Sequence, residues 1–244
     1  MNGQLPQRSA ADDTGAEWDT LYRAGGVSAF VFVLLVLVPI VLVFAAPVPP
    51  ADGAGVLVYI SEHRWVYLVE LICFVGLSVP AIIVFCALAV ALRGVDRSVA
   101  LLGGVIGVVS ETIALALGSS PQSLHGGLVV LGNAYARADD TGRPALVSAA
   151  EALIAATNAV SWAGILTAAG IGVLSLLMRR GGFGTGLAVL GVLAGVLGVV
   201  FEVTRPMIGA WYSVYGLLLP VWFGLVGWRL LRRPNPPVAE SIRL

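Results

Sequence analysis

The 244-residue chain is 58% hydrophobic and only 11% charged. A water-soluble surface needs far more charge than this, so the composition excludes a soluble globular protein and predicts an integral membrane protein. The charges of its 14 basic and 14 acidic residues cancel, so the chain lacks the excess of positive charge that nucleic-acid binding requires. We therefore expect membrane lipid, and no nucleic acid, as a partner.

Six apolar stretches are each long enough to cross a hydrocarbon core of about 30 Å as a helix. They predict an all-α, polytopic membrane protein with spans at about 27–46, 65–93, 98–118, 151–178, 183–203 and 207–231. Residues 17–233 would form this transmembrane domain, between disordered cytoplasmic tails at 1–16 and 234–244. Prolines remove helical hydrogen bonds, so Pro39 and Pro80 predict bends within their spans.

The long polar interval at 119–146 contains an apolar patch, 124–135, that is too short to span a membrane. It predicts either a re-entrant segment or a helix that lies on the surface. The preceding loop, between the first two spans, is predicted to run to about Arg64 and to contain Glu62 and His63.

The arginines predict the orientation of the six spans. If the amino terminus is inside, ten arginines flank the cytoplasmic ends, and the outer loops hold only Arg64, Arg137, Arg143 and Arg205. Cytoplasmic flanks are enriched in positive residues, so both termini are predicted to be cytoplasmic.

The third span contains the stretch Gly-Val-Ile-Gly-Val-Val-Ser-Glu at 104–111, which recurs as Gly-Val-Leu-Gly-Val-Val-Phe-Glu at 195–202. An ionisable side chain within a bilayer is costly, and it is by default a candidate functional group, with a buried structural strut as the alternative. In each stretch the glutamate shares a helical face with the preceding glycines. Glycine-rich faces are where membrane helices approach closely, so both carboxylates are predicted to face protein.

With this orientation, every carboxylate within a span lies toward the outer side. Arg205 follows Glu202 by three residues, which predicts an ion pair on one helical face. Asn158 shares a face with Glu151 in the fourth span. The predicted ligand-binding or proton site therefore consists of polar side chains from four spans and one adjacent loop: Glu111, Glu70, Glu202, Arg205, Asn158 and Glu151.

His63 and His125 are the candidate metal ligands, because both histidines are expected on the outer side near these carboxylates. No paired-histidine spacing accompanies them, and no serine nucleophile motif is present. We therefore predict no catalytic residues and no cofactor, and favour a protein without enzymatic activity.

Two short motifs resemble an uncharacterised family of bacterial six-helix integral membrane proteins, a domain of unknown function. One is Tyr-Arg-Ala-Gly-Gly at 22–26, and the other is Val-Val-Ser-Glu-Thr at 108–112. The family often has an arginine before this glutamate within the third helix. In this chain the preceding residues, 104–110, include no basic residue. The resemblance covers roughly 22–232 and implies six helices and a bacterial inner membrane.

Three functions remain open from the sequence. The first is binding or transport of a small solute, ion or lipid headgroup in a polar pocket in the outer half, with Glu111 taking up a proton. The second is a structural or accessory membrane subunit, whose glycine-rich faces form a homo-oligomer or bind another subunit. The third is a metal-dependent membrane hydrolase that uses His63, His125 and a glutamate.

Overall fold

The computed structural model describes residues 18–117, 124–159, 163–208 and 212–232. In these ranges the chain forms nine helices: α1 (Asp19–Leu42), α2 (Gly53–Gly76), α3 (Ser78–Leu92), α4 (Arg97–Leu117), α5 (Gly126–Tyr135), α6 (Arg143–Ala159), α7 (Ala163–Met178), α8 (Thr185–Ile208) and α9 (Tyr212–Leu231). The predicted tails at 1–16 and 234–244 lie outside the described residues.

Six helical runs are long and apolar enough to cross a membrane, which confirms the predicted all-α polytopic fold. Four of them have the length of a single crossing. The other two are much longer: Gly53–Leu92 contains 40 residues and Arg143–Met178 contains 36. A helix needs only about 20 residues to cross a hydrocarbon core of about 30 Å, so each of these two runs is longer than one crossing requires.

A closed ring of six helices forms the larger part of the molecule. Around the ring, α1 packs on α3, α3 on α4, α4 on α7, α7 on α8, α8 on α9, and α9 on α1. Aromatic side chains fill its centre, where the rings of Phe32 and Phe223 stack with centroids 3.8 Å apart. Large apolar side chains such as Leu34, Leu101 and Val196 are exposed on the outside, as expected for a surface that faces lipid.

The two long runs extend past the ring at the same end, and their extensions form a second unit that we name the cap. It consists of the amino-terminal half of α2, with α5 and α6, which pack on one another. Its own hydrophobic core includes Leu57, Tyr67, Leu128 and Ile154. The apolar patch at 124–135 is thus helix α5 of the cap, packed beside α2 and α6.

Helix α2 begins at Gly53, not near residue 65, so Glu62, His63 and Arg64 lie on a helix and the predicted loop is wrong. The extra turns bury apolar residues in the cap, whereas the prediction had considered only burial in a bilayer. Pro80 lies in the first turn of α3, just after the interruption between Gly76, where α2 ends, and Ser78, where α3 starts; the bend stays a prediction. Proline has no N–H to donate to the carbonyl four residues earlier, which belongs to Gly76.

The opposite end of the ring, which we name the short-turn end, joins its helices through residues 93–96 and 179–184. Gly182 and Gly184 adopt positive φ angles of 80° and 94° there, which side chains disfavour. Arginine side chains lie over tryptophan rings at this end, with Arg93 4.8 Å from the centroid of Trp18. This arginine and tryptophan belt is typical of a membrane interface.

Candidate functional site

Helices α4 and α7 approach so closely that their backbones touch. A Cβ atom on Gly170 of α7 would lie 3.0 Å from the Gly107 nitrogen and 3.1 Å from the Gly103 carbonyl oxygen. Small residues allow such contact between membrane helices. The contact positions the next turn of α4, which carries Ser110 and Glu111, directly against the first turn of α7.

The Glu111 side chain is buried, with 4% of its surface exposed, as the glycine face predicted. It lies 2.9 Å, between Oε1 and Oγ1, from Thr167 of α7. The Thr167 hydroxyl is 2.6 Å from the Ser110 hydroxyl, which in turn donates a hydrogen bond to the Ala163 carbonyl oxygen. We name these four residues the Glu111 cluster.

A third hydroxyl, that of Ser78 at the start of α3, faces the Glu111 carboxyl. It is buried and makes no hydrogen bond of ordinary geometry with any described residue. The carboxyl group is therefore surrounded by neutral oxygen atoms from three helices. Oxygen donors of this kind suit a proton or a hard cation and do not suit soft metals.

Within the described part of the chain, Glu111 has no cationic partner. An ion pair elsewhere joins Arg143 to Asp140, 3.2 Å apart, in the loop of the cap. Burying a lone carboxylate in an apolar environment is very costly, so such a group must be neutralised by a proton, a bound cation or a basic side chain.

Glu70 occupies a separate position, on α2 at the base of the cap. Its side chain is 5% exposed and lies near two buried tyrosines, Tyr59 and Tyr67. Neither Glu70 Oε2 nor the Tyr59 hydroxyl has a hydrogen-bond partner among the described residues. The Tyr67 hydroxyl, by contrast, accepts a hydrogen bond from the His125 backbone at 3.1 Å. Buried polar atoms without a partner are rare, which makes these two atoms candidates for contact with a polar ligand, ion or water.

Glu151 is exposed at the cap surface and has a structural contact. Its Oε1 accepts a hydrogen bond of 2.6 Å from the backbone nitrogen of Gly53, the first residue of α2. Asp52 completes this helix cap by accepting a bond of 2.7 Å from Gly55. Carboxylates at a helix amino terminus satisfy free N–H groups and the positive end of the helix dipole. Asn158 lies two turns along α6 and is exposed.

Glu202 is half-buried on α8, where its carboxyl group packs against Gly164 of α7. Arg205 lies on the same helix, but its side chain is outside the described part, so the predicted ion pair stays a prediction. The predicted site residues are thus distributed over several settings. The ring contains Glu111 and Glu202, the base of the cap contains Glu70, and the cap surface contains Glu151.

The histidines have separate local contacts. His125 Nδ1 accepts a hydrogen bond of 2.9 Å from the Gly127 backbone and so caps α5. The His63 ring lies 5.1 Å from the ring of Tyr59, at a point where the backbone of α2 departs from helical geometry. In the ranges that the structure describes, no group of three or more histidine, cysteine, aspartate or glutamate side chains could hold a metal ion.

The sequence analysis did not identify Thr167 and Ser78, although both contact the buried carboxyl group. A hydroxyl inside a predicted span is a usable signal, because polar side chains in membrane helices tend to face protein. Nothing local, however, indicates which of several such hydroxyls meets Glu111. That pairing depends on which helices are neighbours.

No protein-family model, no curated protein and no solved structure matches this chain. The resemblance to a bacterial six-helix family therefore stays a prediction.

Proposed function

We propose that this membrane protein binds or transports a small solute, ion or lipid headgroup through polar groups at the cap end of the bundle. Glu111 and Glu70 are the principal binding groups. The observation that carries the proposal is the presence of two buried carboxyl groups without a cationic partner in the described residues. Such groups are expensive to retain in a membrane unless they serve a ligand.

The two groups offer complementary chemistry. The Glu111 cluster presents oxygen atoms between α4 and α7, inside the ring. Glu70, with the Tyr59 hydroxyl, presents polar atoms without partners where the ring meets the cap. A solute that enters from the cap would therefore meet Glu70 before it reaches the level of Glu111.

We also propose that the cap faces the outside of a bacterial inner membrane, with both termini in the cytoplasm. Support comes from the arginines, since Arg23, Arg93, Arg97, Arg179, Arg180, Arg229 and Arg232 all belong to the short-turn end of the ring. Positive residues concentrate on the cytoplasmic side of membrane proteins.

The proposal can be tested by ligand-dependent thermal stability of the purified full chain. A ligand that binds only the folded state raises stability by RT ln(1 + [L]/Kd), which is about 2.7 kcal/mol at a concentration of 100 Kd. The probes are alkali cations, small organic amines, phosphocholine and glycerol phosphate, each added to the protein in neutral detergent. We expect one probe class to raise the melting temperature of the wild type.

Glu111→Gln and Glu70→Gln should each remove or reduce this shift, whereas Glu62→Gln should not, because Glu62 is exposed on α2. The proposal is contradicted if no probe stabilises the wild type, or if both variants respond as the wild type does.

The accessory-subunit alternative relied on glycine-rich faces that bind other chains. In the structure these faces are used internally, with Gly103 and Gly107 against Gly170, and Gly195 against Gly172. No observation specifically favours the hydrolase alternative, because the two histidines have separate structural contacts.

A further inference from the structure

The hydrogen bonds of the Glu111 cluster can be counted, because each hydroxyl group carries a single hydrogen atom. Three links join four groups: Ala163 to Ser110, Ser110 to Thr167, and Thr167 to Glu111. The O···O distances of 2.6 Å between Ser110 and Thr167 and of 2.9 Å between Thr167 and Glu111 are those of O–H···O hydrogen bonds, so every link requires one hydrogen atom.

The direction of each link follows from one fixed end. The Ala163 carbonyl oxygen has no hydrogen, so Ser110 must donate to it. The hydrogen of Ser110 is then committed, and Thr167 must donate in the second link. Thr167 has no hydrogen left for the third link, which Glu111 has to supply.

We infer that Glu111 is protonated in the folded protein and donates the first hydrogen bond of a chain that runs through Thr167 and Ser110 to the Ala163 carbonyl oxygen. The cluster is thus a built proton site, in which all three donors and all three acceptors are matched. Loss of the proton leaves two hydrogens for three links, so one hydrogen bond must break. The proton is thus a ligand of this site. The part that the site plays in transport rests on the proposed function.

The surroundings favour the neutral acid. Among the described residues, α3 contributes the Ser78 hydroxyl and α7 contributes the Thr167 hydroxyl. Two acidic groups, Glu70 on α2 and Glu202 on α8, lie on helices toward the same end, whereas the side chain of Arg205 on α8 is outside the described part. The Glu111 side chain is only 4% exposed, and burial in a low dielectric environment disfavours a negative charge there.

Infrared difference spectroscopy of the purified full chain provides the test, because it separates the carbonyl band of a carboxylic acid from the bands of a carboxylate. An ordinary glutamate has a pKa of about 4.3 and is ionised at about pH 7. We expect the wild type at about pH 7 to show a carboxylic-acid band that is lost in Glu111→Gln. Glu151→Gln is the matched control, and the same band should persist in it.

Thr167→Val provides a second variant, which keeps the shape of the side chain and removes the acceptor of the acid. Here the band should persist but shift, because the acid loses its hydrogen-bond partner. If Glu111→Gln removes carboxylate bands instead, or if Thr167→Val leaves the acid band unchanged, the inference is overturned. Neither result depends on solute binding, so the thermal-shift experiment can still succeed when this one fails.

Discussion

Two nearly identical stretches, at 104–111 in α4 and 195–202 in α8, pack against two faces of the same helix, α7. The first contacts the face that carries Thr167 and Gly170, and the second contacts the face that carries Gly164 and Gly172. Both use glycine to bring backbones into contact, and both place a glutamate one turn beyond the last glycine. The resulting environments nevertheless differ.

The difference arises from a few neighbouring side chains. In α4 the glutamate follows Ser110, and α7 opposes it with Thr167, so a hydrogen-bonded chain forms. In α8 the glutamate follows Phe201, and α7 presents Gly164 at that level. A repeated sequence therefore repeats the packing, whereas the chemistry of its carboxyl group is decided by the helix that faces it.

The packing half of this comparison predicts the largest effect. Gly195→Ala would place a Cβ atom 2.6 Å from the Gly172 Cα atom, where only backbone can move away. We expect a loss of about 1–3 kcal/mol in the free energy of unfolding, measured by denaturation in mixed micelles. Gly170→Ala should cost less, since its closest backbone contact is 3.0 Å.

Gly186→Ala is the control within α8, because a Cβ atom there meets nothing within 4 Å. This variant should be as stable as the wild type or more so, since alanine favours helix over glycine. If Gly195→Ala and Gly186→Ala lowered the free energy of unfolding equally, the close contact of α7 and α8 at Gly195 would be contradicted.

The chemical half of the comparison predicts the next effect. Glu111→Ala should cost about 1–3 kcal/mol, because the buried Thr167 hydroxyl loses its hydrogen bond with Glu111 and keeps only the one with Ser110. Glu111→Gln should stay close to the wild type, since the amide N–H₂ donates as the protonated acid does. Glu202→Ala should cost less than Glu111→Ala, because Glu202 is only half-buried. Thermal denaturation at about pH 7 in one detergent would compare the three variants. A larger loss of stability in Glu202→Ala than in Glu111→Ala would contradict the prediction.

Glu151, outside the ring, is an exposed carboxylate that can be compared with the two glutamates inside it. Glu151→Ala should destabilise the protein by about 0.5–2 kcal/mol, because the first N–H group of α2 loses its acceptor. Amide hydrogen exchange should rise at 53–56, and Glu62→Ala, on the exposed face of α2, should not reproduce this increase. Unchanged exchange in Glu151→Ala would show that Asp52 is sufficient to cap the helix.

The smallest effect is expected at Asp139, in the exposed turn before α6. The Gly142 backbone N–H and the Thr141 hydroxyl both donate to its carboxylate, so its pKa lies below the ordinary value of 3.8. A lowered pKa means that the ionised form stabilises the fold above the ordinary pKa. This contribution is lost as the pH falls through the lowered value.

Asp139→Asn should therefore have a slightly lower melting temperature than the wild type at neutral pH, and the two should converge in strong acid. A pH series of melting curves for both proteins measures this, and a difference that grows on acidification would contradict the assignment. Glu62→Gln again provides the exposed control.

Much of the fold could be predicted from local sequence. Hydrophobic length and composition give six crossings, since a helix of about 20 apolar residues satisfies its own backbone in lipid. The 3.6-residue period places Glu111 on the same face as Gly104 and Gly107, and all three are buried. Pro80 lies just after the interruption of the second crossing. Each of these conclusions depends on residues within one helix.

Only the tertiary structure decided the rest. The cap was not predicted, because its helices are stabilised by packing on one another and are too short or too polar to be recognised as spans. The contacts of Glu111 with Thr167, and of Glu151 with Gly53, join residues 56 and 98 positions apart in the chain. Periodicity determines which face of a helix is polar or small, but the partner of that face depends on the packing of the whole bundle.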